Sequence, residues 1–289
     1  MTGQIPAADA LLRTDTTVRL PRRDPWLFAS IGWLALVVLI AIVGPWIAPY
    51  DPNTVDLRAI NAPPGTAGHL LGTDQLGRDL LSRLLVGARL TLIGPLIVIV
   101  GSTLLGVIIG GVSGWIGGWV DGLLSRIIDF LFAFPGLLLA IFAVALFGPG
   151  VVTPAIALAI AFTPIGARLM RNLVMREVRK DYVSSLRVLG FSGVGIFVRH
   201  VFPNVSAPML SQTVLGFSYA VVDLAAISYL GLGVQPPEFD WGLMISEGQQ
   251  SLLAGAPWPV LWPSIMIVLV VIAFNHMGEY IIDRYQRRF

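Results

Sequence analysis

Six apolar stretches, each close to 20 residues long, punctuate this 289-residue chain, and their shared length constrains its fold more than any other feature. A hydrocarbon layer about 30 Å thick is crossed by roughly 20 helical residues rising about 1.5 Å each. Hydrophobic residues make up 55% of the chain and charged ones only 12%, too little polar surface for an ordinary soluble domain. The reading is an all-α integral membrane protein with six transmembrane helices. With no cysteine, the chain has no disulfide, thiolate metal site or cysteine nucleophile.

The spans are expected at about Trp26 to Ala48, Thr91 to Val112, Gly122 to Phe147, Val151 to Met170, Ser206 to Leu230 and Pro257 to Ile282. The first exceeds a signal-peptide core and reads as an uncleaved span. Lys and Arg flanking a span resist translocation, so their distribution sets orientation. The segment 49–90 holds four basic residues and the loop from Gly231 to Ala256 none, while 15 of the 19 fall on the opposite face. Both termini are therefore expected in the cytoplasm. Residues 1–25 read as a cytoplasmic tail, 26–289 as one transmembrane domain, 49–90 as an extracytoplasmic segment and 171–205 as a cytoplasmic loop. The basic residues sit where topology demands them, so no nucleic-acid partner is implied, and the lipid bilayer is the expected surroundings. Trp26, Trp46, Trp241, Trp258 and Trp262 fall near span ends, as an interfacial belt requires.

The loop between the fourth and fifth spans is about 35 residues long and dense in charge and helix formers, which calls for a purpose. Asp181 is expected to cap a helix from Tyr182 to Leu189, Gly190 to stop it in the left-handed region, and Ser192 to cap a second helix ended by Pro203. Val183, Leu186 and Leu189 recur at three-residue spacing, a stripe that continues through Phe191, Ile196 and Phe197. Such a stripe either docks a partner or packs on the protein's own spans.

At this loop the chain resembles the inner-membrane permease subunits of ABC importers, whose signature is Glu-Ala-Ala, three residues, Gly, nine residues, Ile, one residue, Leu-Pro. Ser184, Ser185 and Leu186 occupy the Glu-Ala-Ala positions, Gly190 the glycine, and His200, Phe202 and Pro203 the last three. The Gly and Pro match at their required spacing, whereas Glu-Ala-Ala is replaced. HLLGTDQLGRDLLSRLLVGARL from His69, GGWVDGLLSRIIDFLFAFP from Gly117, DYVSSLRVLG from Asp181 and SYLGLGVQPPEFDWGLMISEG from Ser228 are similar to the second permease subunit of the dipeptide, oligopeptide and nickel systems. The resemblance runs from about residue 25 to 285.

What it implies is a type I importer permease fold in the bacterial inner membrane and no catalytic residue, metal or cofactor in this chain. ATP and Mg would be bound by partner ATPase subunits. Consistently, a phosphate-binding loop of the form Gly-x-x-x-x-Gly-Lys-Ser/Thr is absent, since the one lysine is Lys180 in VRKDY. The implied partners are a homologous permease subunit, two ATPase domains and an extracytoplasmic substrate-binding protein. The implied function is import of dipeptides or oligopeptides, with Ser184, Ser185, Leu186, Leu189, Gly190, Phe191 and Pro203 coupling the permease to an ATPase. The alternative is an ATP-independent secondary transporter or channel, which would show paired, interrupted spans around a midplane ion site.

Ionisable residues within spans are candidates by default, each costing roughly 2.5 to 3.5 kcal/mol near the bilayer centre. Asp223 lies about 12 Å before Gly231 and is the candidate pathway residue. Related permeases often place a glutamate where this chain has Leu224. The acid is thus displaced by one residue, about 100° around the helix. Asp129 and Arg126, three apart, are expected to pair, and Arg168 and Arg171 to snorkel to headgroups. A short extracytoplasmic helix capped by Thr73 or Asp74 is expected to present Leu76, Leu80 and Leu84 on one side, as a docking site or a brace over the spans. The acidic residues Glu238, Asp240 and Glu247 are a second docking candidate.

Overall fold

The computed structural model describes residues 25–286 and is all-helical. The expected tail, with Arg13, Arg19, Arg22 and Arg23, lies outside the described residues, as do Arg287 and Arg288. In chain order the elements are α1 (Pro25–Ile47), α2 (Leu80–Ile116), α3 (Gly118–Phe132), α4 (Gly136–Phe147), α5 (Val152–Val178), α6 (Asp181–Val188) and α7 (Gly193–Ile196), then a π-helical turn (Phe197–Val201), α8 (Phe202–Tyr229), α9 (Trp241–Glu247), α10 (Gln249–Leu253) and α11 (Trp258–Gln286).

Helices α1, α2, α5, α8 with its preceding turns, and α11 are each long and apolar enough to cross a membrane. The third expected span is not one straight helix. Pro135 disfavours helical geometry at Phe134 and lacks an N–H, so α3 and α4 meet at 79°. Outward-facing Leu39, Ile42, Val100, Leu104, Ile108, Val268 and Ile272 leave the bundle surface apolar, as lipid contact requires.

Two spans are longer than expected. α2 begins at Leu80, eleven residues before Thr91, because Asp79 caps it and accepts from Ser82 N–H at 2.8 Å and Ser82 Oγ at 2.7 Å. The separate short helix expected after Thr73 or Asp74 therefore does not exist; Leu80 and Leu84 are buried in the first turns of α2. At its other end α5 runs past Met170 to Val178, carrying Arg171, Arg176 and Glu177 beyond its apolar part.

The centre of the bundle is the α2–α5 pair. Gly106, Gly110 and Gly114 recur every four residues on α2 and let the backbone of α5 approach. A Cβ at Gly110 would lie 2.3 Å from the Ala167 carbonyl oxygen, and one at Gly114 would lie 2.8 Å from that of Arg171. α8 packs on α11, and α1 fills the side formed by α2 and α11.

One end of the bundle, called the loop end below, is closed by residues 48–79 and the 230–257 segment. Trp241 is fully buried there, donating from Nε1 to the Leu84 carbonyl at 3.0 Å and from its backbone N–H to Thr91 Oγ1 at 3.0 Å. It anchors this end of the core rather than sitting in an interfacial belt. Trp258 and Trp262 donate to the carbonyls of Thr73 and Leu71 at 3.1 Å each, fastening the long segment to α11. Trp26 and Trp46 are exposed, as a belt requires.

Candidate functional site

At the opposite end, the hairpin end, α6 and α7 project beyond α5 and α8. Asp181 is the first residue of α6, and the extended residue before it is Lys180, so Asp181 sits at the positive end of the helix without capping it. Gly190 stops the helix as expected, with φ +82°. Its N–H donates to the Arg187 carbonyl at 3.0 Å and that of Phe191 to the Leu186 carbonyl at 3.1 Å, the paired bonds of a Schellman turn. Ser192 caps α7, its Oγ accepting from Gly195 N–H at 3.2 Å. Pro203 ends nothing. The π-helical turn, closed by Phe202 N–H on the Phe197 carbonyl, delivers the chain into α8, where Pro203 occupies the first turn and its missing N–H is not needed.

The apolar stripe divides. Val183 and Ile196 are fully buried with Met170, Val174, Val201 and Val205, and Leu186 and Phe197 pack at the edge of this cluster. Facing outward are Val188, 89% exposed, Leu189, 71%, and Val194, 74%, together with Phe191. Ser184, Ser185 and Gly190 are exposed beside them. The reading that the stripe packs on the protein's own spans holds for one side of the hairpin, and the other side is exposed.

A clamp unforeseen in the sequence holds the hairpin to the spans. Glu177, buried at the end of α5, accepts from Tyr182 Oη at 2.8 Å and Asn204 Nδ2 at 2.9 Å and pairs with Lys180 at 2.7 Å. One carboxylate thus joins α5, α6 and α8. Burial, together with the bond to Glu177, pushes the Tyr182 phenol up to about 12, so it remains a donor at neutral pH. On the other side, the Arg187 guanidinium lies 5.2 Å from the Trp115 ring at the end of α2, and Trp115 meets Phe197 edge-on at 5.6 Å. A glutamate near a helix end followed by a tyrosine was the available signal, but Asn204, 27 residues on, could not be matched to it by spacing.

The expected Arg126–Asp129 pair is absent. Arg126 is exposed, and Asp129 pairs with Arg168 at 2.7 Å. Arg171 does not simply snorkel either: its Nη2 donates to Asp121 at 2.7 Å, linking α5 to the start of α3. Three-residue spacing places two side chains on one face, yet α5 runs alongside that face of α3 and supplies the partners.

Asp223 faces a cavity of about 520 Å³ between α8, α2 and α5. Met209, Gln212, Thr213, Gly216, Tyr219 and Asp223 line it at helical spacing along one side of α8. Thr103 Oγ1 and Thr213 Oγ1 meet across it at 3.2 Å. Leu224, the neighbouring residue, is buried instead in a cluster with residues of α2, α4 and α5.

The loop-end acidic residues are already engaged. Glu247 accepts from Arg78 Nη2 at 2.8 Å and from Arg83 Nη2 at 2.7 Å, and Arg78 Nε reaches Asp74 at 2.6 Å. Arg83 is 1% exposed and stacks 4.4 Å from the Phe239 ring. Asp240 caps α9, accepting from Leu243 N–H at 2.7 Å and Ser228 Oγ at 2.6 Å. Burial pushes its carboxyl up, against these hydrogen bonds. Of the expected acidic docking set only Glu238 is exposed and uncommitted, so this region reads as a brace over the spans.

Comparison with known proteins agrees with this architecture. Residues 74–289 match the family described as binding-protein-dependent transport system inner membrane component, and residues 19–64 match the N-terminal transmembrane domain of oligopeptide transport permease C. The chain is 43% identical over 267 residues to the dipeptide transport system permease protein DppC of Escherichia coli K12, covering 91% of this chain and 89% of that protein. It is 41% identical over 256 residues to the di/tripeptide transport system permease protein DppC of Pseudomonas aeruginosa UCBPP-PA14, covering 87% and 84%. An inward-facing structure of the MetNI methionine ABC transporter matches with a TM-score of 0.56 at 18% identity, covering 70% of this chain and 95% of that one, which establishes the shared fold. The family sets aside an ATP-independent transporter: this chain belongs to the binding-protein-dependent transport inner membrane components, as a multi-pass inner-membrane permease subunit of the type I ABC importer fold.

Proposed function

We propose that this chain is the second permease subunit of a dipeptide or oligopeptide importer, forming the translocation pathway together with a homologous permease. ATP hydrolysis belongs to separate subunits. An extracytoplasmic binding protein delivers the ligand to the loop end, and two ATPase domains, which hold ATP and Mg, engage the hairpin end. Both termini and the hairpin then face the cytoplasm. The dipeptide relatives support the substrate class.

The observation that carries the coupling role is the hairpin's divided stripe. Val183, Ile196 and Leu186 fasten it to α5 and α8, while Val188, Leu189 and Val194 project largely uncovered by the described residues, with Phe191 half-exposed beside them. A rigidly mounted apolar tip is what an ATPase cleft needs in order to push on the spans. Ser184, Ser185, Leu189, Gly190 and Phe191 form the proposed contact. Leu186 and Pro203 act by holding its shape.

Because the chain has no cysteine, a single introduced one is a unique probe. In the complete complex, Leu189→Cys is expected to crosslink to an ATPase subunit and the buried Val183→Cys is not. Crosslinks from Leu189→Cys confined to this chain would refute the assignment. Gly190→Val places a β-branched residue at a positive φ and re-aims α7. It is expected to lower transport at least tenfold while membrane insertion persists.

Orientation has its own test. An impermeant maleimide applied to spheroplasts that produce the permeases without the ATPases is expected to label Ala67→Cys at the loop end, and to label Leu189→Cys only after permeabilisation. The reverse pattern would overturn the proposed topology.

A further inference from the structure

The cavity between α8, α2 and α5 carries one charged group, and no described residue answers it. Asp223 has no ion-pair or hydrogen-bond partner among the described residues, and no arginine, lysine or histidine lines the cavity. Its remaining polar lining is neutral: Ser102 and Thr103 from α2, Gln212, Thr213 and Tyr219 from α8. The volume of about 520 Å³ lies in the range that holds small organic ligands.

An uncompensated carboxylate within a span is costly, and a cation brought to it is favoured because both charges act in a poorly screening environment. Asp223 occupies the loop-end extreme of the lining stripe, and Met209 lies fourteen residues, or about 21 Å, further along α8. A ligand entering from the loop end therefore meets the acid first. Beyond it come hydroxyl and amide groups, which pair with a neutral amide backbone, alternating with Ile99, Phe162 and Ile165, which accept apolar side chains.

We propose that this cavity is a transient ligand site in which Asp223 binds the ammonium group of a peptide amino terminus and the Thr103, Gln212 and Thr213 stripe accommodates the amide backbone. The assignment rests on the peptide-importer reading above. It makes this chain a contributor to selection, in addition to the binding protein, by favouring ligands with a free amine. In the assembled complex the homologous permease closes the open side of the cavity.

The test uses the purified complex of both permeases and both ATPases, with and without the binding protein. In proteoliposomes with the binding protein, the wild-type complex is expected to transport dialanine; failure to do so refutes the dipeptide reading on which this site rests. Without the binding protein, equilibrium binding of dialanine to the detergent-solubilised complex is then measured. Asp223→Asn is expected to weaken it at least tenfold, Asp223→Glu to preserve it within a few-fold, and N-acetyl-dialanine to bind the wild type and Asp223→Asn equally weakly. Transport of dialanine by the wild type with unchanged binding in Asp223→Asn would overturn the ammonium site while leaving the peptide reading standing. Loss of the homologous permease on purification of Asp223→Asn would also overturn it, because Asp223 would then be a structural partner of that subunit.

Discussion

Gly110→Leu is expected to prevent accumulation of a stable permease, the most severe effect of any single substitution considered. Gly110 lies where α2 and α5 touch backbone to backbone. Even a methyl group there would meet the Ala167 carbonyl oxygen at 2.3 Å and Met170 Cβ at 2.8 Å. Neither contact involves the free end of a flexible side chain, so the helices must separate along the whole Gly106–Gly110–Gly114 seam. Overpacking a well-packed core commonly costs about 1 to 3 kcal/mol, and a backbone obstruction belongs at or above the top of that range. Gly32 of α1, where an added Cβ meets nothing within 4 Å, is the control: Gly32→Leu is expected to be tolerated. Membrane abundance and the thermal unfolding midpoint in detergent measure both. Equal midpoints for Gly110→Leu and the wild type would show that the two helices are not in direct contact.

The second large effect is expected at Glu247. Removing its carboxylate in Glu247→Ala leaves Arg83 buried with only a 3.8 Å approach to Asp74, which Arg78 already occupies at 2.6 Å. Breaking a buried ion pair by deleting one partner costs about 3 to 5 kcal/mol, because the other charge remains desolvated. The consequence reaches both loop-end segments, since Arg78 and Arg83 tie the residue 74–83 region to the end of α9. Replacing both charges, as in Arg83→Met with Glu247→Leu, is expected to restore part of the loss. A double-mutant cycle in the purified complex decides the matter. Strict additivity of the two single effects would mean that the pair carries no coupling.

These two positions also mark how far sequence reasoning extends. Six apolar lengths, the asymmetry of Lys and Arg, and the Gly190 stop are local or compositional properties. Each follows from the thickness of a bilayer or the geometry of a single residue, so the all-helical membrane fold and the hairpin were legible before any coordinates. The Gly106–Gly110–Gly114 seam belongs to the tertiary structure, since only the packing of α5 gives that spacing its meaning.

Partners distant in sequence were beyond reach. Asp129 chose Arg168 over Arg126, and Glu177 gathered Tyr182 and Asn204. Glu247, expected as a docking charge, was taken by Arg78 and Arg83, more than 160 residues away. Similarly, the hairpin's stripe read as one surface, although the fold turns Val183 inward and Leu189 outward. The physical reason is common to all four. Hydrophobic length and local backbone preference act within one helix and are therefore written in consecutive residues. Which side chain meets which depends on the rotation and depth at which helices pack, and that is settled by the whole bundle at once.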